Sequence, residues 1–462
     1  MKKRLIAGIV SVMMVASLVT GCGTGSGTDK GNAQAEKDSS AKTKLTIAYV
    51  DTNDDGDGNS QYKQIMKAYD SWDKKDQVEL DLQPIIATDS DYFTKIQLEL
   101  SYDSTTPDIF WEDTFQLNSD VNAGYITDLT EYVNGYEDWS TNYIDAVKEG
   151  VTGADGNVYA VPASTDLRGL WYNKNVFEAA GLGRDWQPET WEDILNACRT
   201  IKENSAEDVV PMWFPCSSAD GEGTSMQTYE MLYYGTGEKL VDDSTGVWTA
   251  KSQGILDTLG FVKTIFDEDM GGEIAERLDT NSWVYAAQYM AEDKLGIYLD
   301  GSWTYNNFKE GASYEMDDFI NNLGFAKMPL QNGGGYVTMS GGWSWAIPEL
   351  ADQKDLAFEF IEQMMQPDNY IEYLTGSGNL ATRDMSDFEA YTSRPYYKEF
   401  TEGSENATYR PHDENYSQVS TYIYQMVDSI VRNSTSPEDA MSTFATSVEG
   451  TVGADKVVDL TK

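Results

Sequence analysis

The chain has one histidine and three cysteines in 462 residues, and 33 Lys+Arg against 77 Asp+Glu. A lone His412 leaves no material for a multi-histidine metal centre or for His-dependent catalysis. Three cysteines are too few for a disulfide scaffold. Beyond the first twenty residues no apolar run approaches the ~20 residues that a bilayer core requires, so the body reads as soluble. A net charge of −44 opposes nucleic acid and anionic headgroups, both of which it repels. That charge reads as a solvated anionic surface or, more sharply, as an attraction for cationic ligands. No cofactor and no metal are expected.

What is present is aromatic and carboxylate chemistry. The chain has 12 Trp and 29 Tyr, and 40% of its residues are hydrophobic, enough for real cores. Its length exceeds what one core usually serves, so two lobes are expected. At the N-terminus, Lys2, Lys3 and Arg4 precede a mostly apolar run from Leu5 to Val19, and small residues precede Cys22. A basic start, a short apolar core and small residues at the cut describe an export signal over residues 1–21. Cys22 directly after the cut resembles a bacterial lipobox, in which that cysteine receives lipid; the alternative is an ordinary cleaved signal with a chance cysteine. Residues 22–43 are Gly-, Ser-, Thr-, Asp- and Lys-rich and read as a flexible tether. With Cys22 so used, Cys198 and Cys216 are left either as one bond or as two free thiols.

Leu45-Thr46-Ile47-Ala48-Tyr49-Val50 is a β-rich run, followed by a helical pattern on Tyr62, Ile65, Met66 and Tyr69. Residues 78–86 alternate as a strand, Ile96 to Leu100 read as helix, and Pro107 to Trp111 as a short buried strand. Thr190 with Asp193 three residues on begins a helix in the manner of a capping box. Val419, Ile423, Met426 and Ile430 share one helical face, and Ser436-Pro437 starts another helix. Strand–helix alternation predicts an α/β fold with a parallel sheet and ligands at the carboxyl ends of its strands.

Several segments resemble the extracellular solute-binding proteins of ABC sugar importers, the group related to maltose-binding protein. They are Pro107-Asp108-Ile109-Phe110-Trp111-Glu112-Asp113, the run from Val161 to Lys174, Pro188-Glu189-Thr190-Trp191-Glu192-Asp193, Asp300-Gly301-Ser302-Trp303, Gly341-Gly342-Trp343-Ser344-Trp345-Ala346 and Thr375-Gly376-Ser377. They occur in the family's order over nearly the whole chain. The resemblance implies a two-lobed, type II periplasmic-binding-protein-like fold with a multi-crossing hinge and a ligand cleft between the lobes. It places crossings near Val161-Pro162, Met328-Pro329 and residues 376–380. Lobe one is then 44–161 with 328–377, and lobe two 162–327 with 378–462. It also implies a carbohydrate ligand, permease subunits as partners, a lipid anchor at Cys22 and a monomer.

A sugar offers hydroxyl edges and faintly apolar faces, so its site needs aromatic platforms beside carboxylates and guanidinium groups. The resemblance marks Trp111 and Trp303 as stacking residues and Asp113 and Asp166 as hydroxyl-binding carboxylates. Their plainer readings are core for Trp111, a helix cap for Asp113 and an Asp166–Arg168 pair. Arg168 shares a strand face with Asp166, and Asp300 leads into Trp303. Gly342 lets backbone approach a ligand ahead of Trp343. Arg383 and Trp213 are further candidates. In the loop from Asp51 to Asn59, Asp51 and Asn53 are candidates for ligand contact. The loop partly matches a calcium loop, but Tyr62 stands where the bidentate Glu belongs. A glycoside hydrolase with two spaced carboxylates, or the same fold holding a polyamine, peptide or sugar acid, are the rival functions.

Overall fold

The computed structural model describes residues 42–461 except Asn53, Asp243, Glu405 and Asn406. The expected signal, Cys22, Asn53 and all but the last two tether residues lie outside the described residues; Thr43 already belongs to the first strand. In chain order the strands are β1 (Thr43–Asp51), β2 (Val78–Ile86), β3 (Ile109–Asp113), β4 (Ala160–Pro162) and β5 (Arg168–Asn173). They continue as β6 (Val210–Trp213), β7 (Val241–Asp242), β8 (Val247–Lys251), β9 (Leu295–Gly301) and β10 (Leu323–Ala326). The rest are β11 (Met328–Pro329), β12 (Tyr336–Ser340), β13 (Trp343–Ala346), β14 (Ala407–Tyr409) and β15 (Val457–Asp459).

Two lobes form because two separate sheets each collect helices. The first lobe has the order β2-β1-β3-β13-β4, with β1 parallel to β2 and β3, and β13 antiparallel to β3 and β4. The wholly parallel expectation therefore fails at β13, which re-enters from the second lobe running the other way. The second lobe is built on β10-β5-β9-β6, with small sheets β11-β12-β14 and β15-β8-β7 beside it. One hydrophobic cluster joins Ile47, Phe110, Trp345, Phe360 and Tyr370. Another joins Leu170, Ile194, Ile297, Met339, Ile423 and Phe444. Each such fully buried side chain contributes roughly 1.5–3 kcal/mol. Local signals read as expected: Thr190 and Asp193 form a reciprocal capping box, and Ser436 accepts from the Asp439 N–H with Pro437 in the first turn. Val419, Ile423, Met426 and Ile430 all face the core from the helix Tyr416–Val431. Cys198 and Cys216 are both free and buried.

The clusters put the second crossing later than expected. Met328, Val337 and Met339 pack into the second lobe, so the chain returns to the first lobe only at Gly341-Gly342, between β12 and β13. β11 pairs with β12 rather than with the first sheet, which keeps this stretch on the second lobe. Ala381, Met385 and Tyr391 belong to the first lobe's core, whereas Tyr396 and Phe400 pack on the second. Near the expected third crossing Leu380 pairs with Thr165 of the first crossing and packs with the second lobe's Leu167 and Trp171, and the chain finally leaves the first lobe's core at Arg394-Pro395. The first crossing runs from Ala163 to Leu167, directly after β4.

Behind β3, Glu112 projects away from Asp113 by strand alternation and lies buried with Asp120. Burial pushes Asp120 up to about 7, opposed only by the Gln97 amide. The proton is held in the folded state and released sooner in the unfolded one, so its stabilisation is complete below about pH 4 and is lost as pH rises to about 7. Asp120→Asn should therefore gain stability relative to the parent over this range, by roughly 2–4 kcal/mol at pH 8. Urea midpoints at pH 4 and pH 8 measure it; an equal difference at both would contradict it.

Candidate functional site

The carboxyl ends of β3, β9, β12 and β14 meet where the first two crossings run side by side. The meeting is made by missing atoms: at Gly342, with φ +147°, a Cβ would lie 1.9 Å from the Ser164 carbonyl oxygen. This glycine serves chain-to-chain approach, which is not the ligand approach expected of it. The Gly341 N–H donates to Asp166 Oδ1 at 2.8 Å, and the Trp343 N–H donates to Ser164 Oγ at 3.1 Å. Ser340 Oγ donates to the Asp166 carbonyl. Asp166 also pairs with Arg168, both buried, so the alternative reading of these two as partners holds.

Arg168 lies with its guanidinium 5.0 Å over the Trp303 ring, and its Nε is buried without a hydrogen-bond partner. Burial lowers its pKa, against Asp166, which raises it. The Trp303 indole folds back over Gly301, where a Cβ would come within 2.1 Å of the ring, and remains partly exposed. Asp300, one residue before, is buried and accepts from Thr304 Oγ1 at 2.6 Å. Burial raises its pKa.

Asp113, at the end of β3, accepts from the Phe115 N–H at 2.7 Å and from Arg410 Nη1 at 3.2 Å. Arg410 comes from the second lobe, just past β14, so this contact crosses between the lobes. Its Nε donates to Glu222 Oε1 at 2.7 Å. Tyr416 OH lies 2.9 Å from Glu222 and 2.6 Å from Glu230, extending one polar chain from Asp113 to Glu230. Burial works against the Arg410 charge, but Asp113 and Glu222 outweigh it and hold its pKa above the usual range. Burial raises Asp113 and Glu222, each opposed mainly by Arg410. Glu230 is pushed up to about 8, by burial first and then by Glu222. One Oε of Glu230 has no partner.

Asp113, Asp166, Arg168, Asp300, Trp303, Gly342 and Trp343 therefore converge. Trp343 pairs in register with Asp113 and keeps part of its ring exposed. Trp111 does not join them: it is fully buried, stacked on Trp343 at 5.8 Å and edge-on to Trp345 and Tyr373. These three neighbouring aromatic rings give it a core place instead. Trp213 does not join them either: it sits in β6, buried beneath the Arg277 guanidinium at 4.1 Å. Arg383, expected as a ligand contact, is instead buried and pins the first lobe through Asp138 at 2.9 Å and the Met365 carbonyl. Asp51 is spent on its own loop, accepting from the Asp55 and Gly56 N–H groups. Among the described residues no acidic, His or Cys group has metal-holding geometry.

Glu222, Glu230, Arg410 and Tyr416 were missed. Only Glu222, flanked by Gly221 and Gly223, carried a faint local signal of a special position.

The chain belongs to the bacterial extracellular solute-binding protein family, which it matches over residues 53–371. It is 27% identical over 180 residues to the melibiose/raffinose/stachyose-binding protein MelE of Bacillus subtilis, covering 39% of this chain and 38% of that protein. A maltooligosaccharide ABC transporter solute-binding lipoprotein of Streptococcus pneumoniae is 23% identical over 364 residues, 76% of this chain and 74% of the relative. Maltose-bound MalE3 of T. maritima shares the fold, with a TM-score of 0.75 at 20% identity over 88% of this chain and 99% of that one.

Proposed function

We propose that this protein captures a sugar or oligosaccharide between its lobes and delivers it to an ABC importer, held at the outer membrane face by lipid on Cys22. The observation that carries the reading is one seam where partly exposed Trp303 and Trp343 rings lie beside Asp113, Asp166, Arg168, Asp300, Glu222 and Arg410. Indole faces suit sugar C–H surfaces, and ionised groups on both lobes suit hydroxyls as charge-assisted partners. Opening would free these groups from one another, and closing on a ligand would bury it. The names of the relatives, one for melibiose, raffinose and stachyose and one for maltooligosaccharides, support the same class. Nothing in this role requires a bond to be broken, so we read the protein as a binder rather than an enzyme. The mass of the mature N-terminus tests the lipid.

One observation favours a second solute class. Four buried acids, Asp113, Asp166, Glu230 and Asp300, together with the partly buried Glu222, face two arginines, an excess that suits a polyamine. Tryptophan fluorescence titrations with maltotriose, raffinose, stachyose, spermidine and a tripeptide separate the two. A saturable response to a glycan is expected, and Trp303→Ala should weaken it at least tenfold with little change in melting temperature. Binding of spermidine alone, or release of products from a glycan, would overturn the assignment.

A further inference from the structure

A crevice of about 140 Å³ lies where Thr375 of the first lobe and the last crossing face the second lobe. Its walls are Tyr305, Phe319 and Pro395, with Asn306, Lys309, Thr375 and Arg394 supplying the polar atoms. In a chain with 77 acids and 33 bases, a pocket lined by two cations and no acid runs against the general composition.

Arg394 is held in one orientation. Its Nε donates to the Tyr391 carbonyl at 3.2 Å, and Nη1 donates to the Leu374 and Asn379 carbonyls at 3.2 and 2.7 Å. The ring of Tyr391 lies 4.0 Å beneath the guanidinium. Nη2 is buried and has no hydrogen-bond partner, although leaving a buried N–H unpaired costs roughly 1–3 kcal/mol, more for a charged group. Lys309 donates to Asn306 Oδ1 at 3.3 Å. Burial, and then Lys63, lower the Lys309 pKa, with no acid opposing them. Among the described residues neither Lys309 nor Arg394 stands in an ion pair. Two cations with spare donors, walled by apolar rings, lack an acceptor that carries negative charge.

We propose that this crevice is an oxyanion site, taking a phosphate, a sulfate or the carboxylate of a sugar acid. Such an ion accepts from Arg394 Nη2 and Lys309 Nζ together. Arg394 lies on the last crossing and Lys309 on the second lobe, so the ion fastens the crossing to that lobe. Binding there stabilises whichever lobe arrangement holds the two cations together, and by linkage the solute that favours that arrangement tightens the ion.

Calorimetric titration of the mature chain with sodium phosphate, sodium sulfate or sodium glucuronate, each against sodium chloride at matched ionic strength, tests the site. Saturable one-to-one binding of at least one oxyanion is expected. Lys309→Ala, at a partly exposed position, should weaken it tenfold or more and keep its melting temperature. Lys398→Ala, an exposed lysine on a neighbouring helix, should bind as the parent does. Saturation by phosphate or sulfate identifies a free ion as the ligand, and saturation by glucuronate alone identifies an acidic sugar. Heat no larger than that of chloride, or unchanged affinity in Lys309→Ala, would overturn the proposal. Phosphate and sulfate contain no sugar, so failure of the sugar reading leaves these arms intact.

Discussion

Replacing Arg410 with methionine is expected to lower the free energy of unfolding by about 3–5 kcal/mol, the loss usual when one partner of a buried ion pair is removed. The side chain is only 8% exposed and joins Asp113 of one lobe to Glu222 of the other. Its removal strands two carboxylates, each already pushed toward its neutral form by burial. The same loss weakens the tie between lobes, so the radius of gyration from solution scattering should rise. Adding Asp113→Asn and Glu222→Gln should recover at least half of the stability, because the penalty lies in the stranded charges rather than in the missing attraction. A single variant as stable and compact as the parent would show that this chain of contacts holds nothing.

Gly342→Ala is expected to cost roughly 2–6 kcal/mol, combining about 1–3 for a side chain at positive φ with about 1–3 for overpacking. The obstacle is backbone: a Cβ would meet the Ser164 carbonyl oxygen and the Thr165 Cα. Neither can yield without parting the two crossings and breaking the Asp166 contact with the Gly341 N–H. The substitution should therefore lower both the melting temperature and ligand affinity. By contrast Gly334→Ala, at φ +87° but with nothing within 4 Å, carries only the conformational cost, near 1–2 kcal/mol. Equal midpoints for the two variants would contradict the close-approach account.

The parts of the site that were legible in the sequence sit at strand ends. Asp113, Asp166, Arg168, Asp300 and Trp303 follow or begin β-rich runs, and a strand's carboxyl end is where α/β folds expose polar side chains. What stayed hidden depends on partners far apart in the chain. Arg410 and Glu222 are 188 positions apart, and no local pattern separates them from the many solvated charges around them. Trp111 and Trp303 were equivalent as letters. The difference lies in neighbours: Trp111 is enclosed by Trp343, Trp345 and Tyr373, whereas Trp303 rests on a glycine and meets one guanidinium. The second crossing was misplaced for a similar reason. A two-residue strand such as β11 carries no periodicity, and its pairing with β12 rather than the first sheet is a tertiary choice.

The two buried thiols have a practical side. Burial raises the pKa of Cys198, and it pushes that of Cys216 up to about 11. Thiolate is the reactive form, so both should stay silent toward maleimides while the fold is intact. A cysteine placed at an exposed position on each lobe would then take up dye or spin label without first stripping out the natural pair. Lobe separation could be followed by energy transfer in an otherwise unaltered protein, during solute uptake and release.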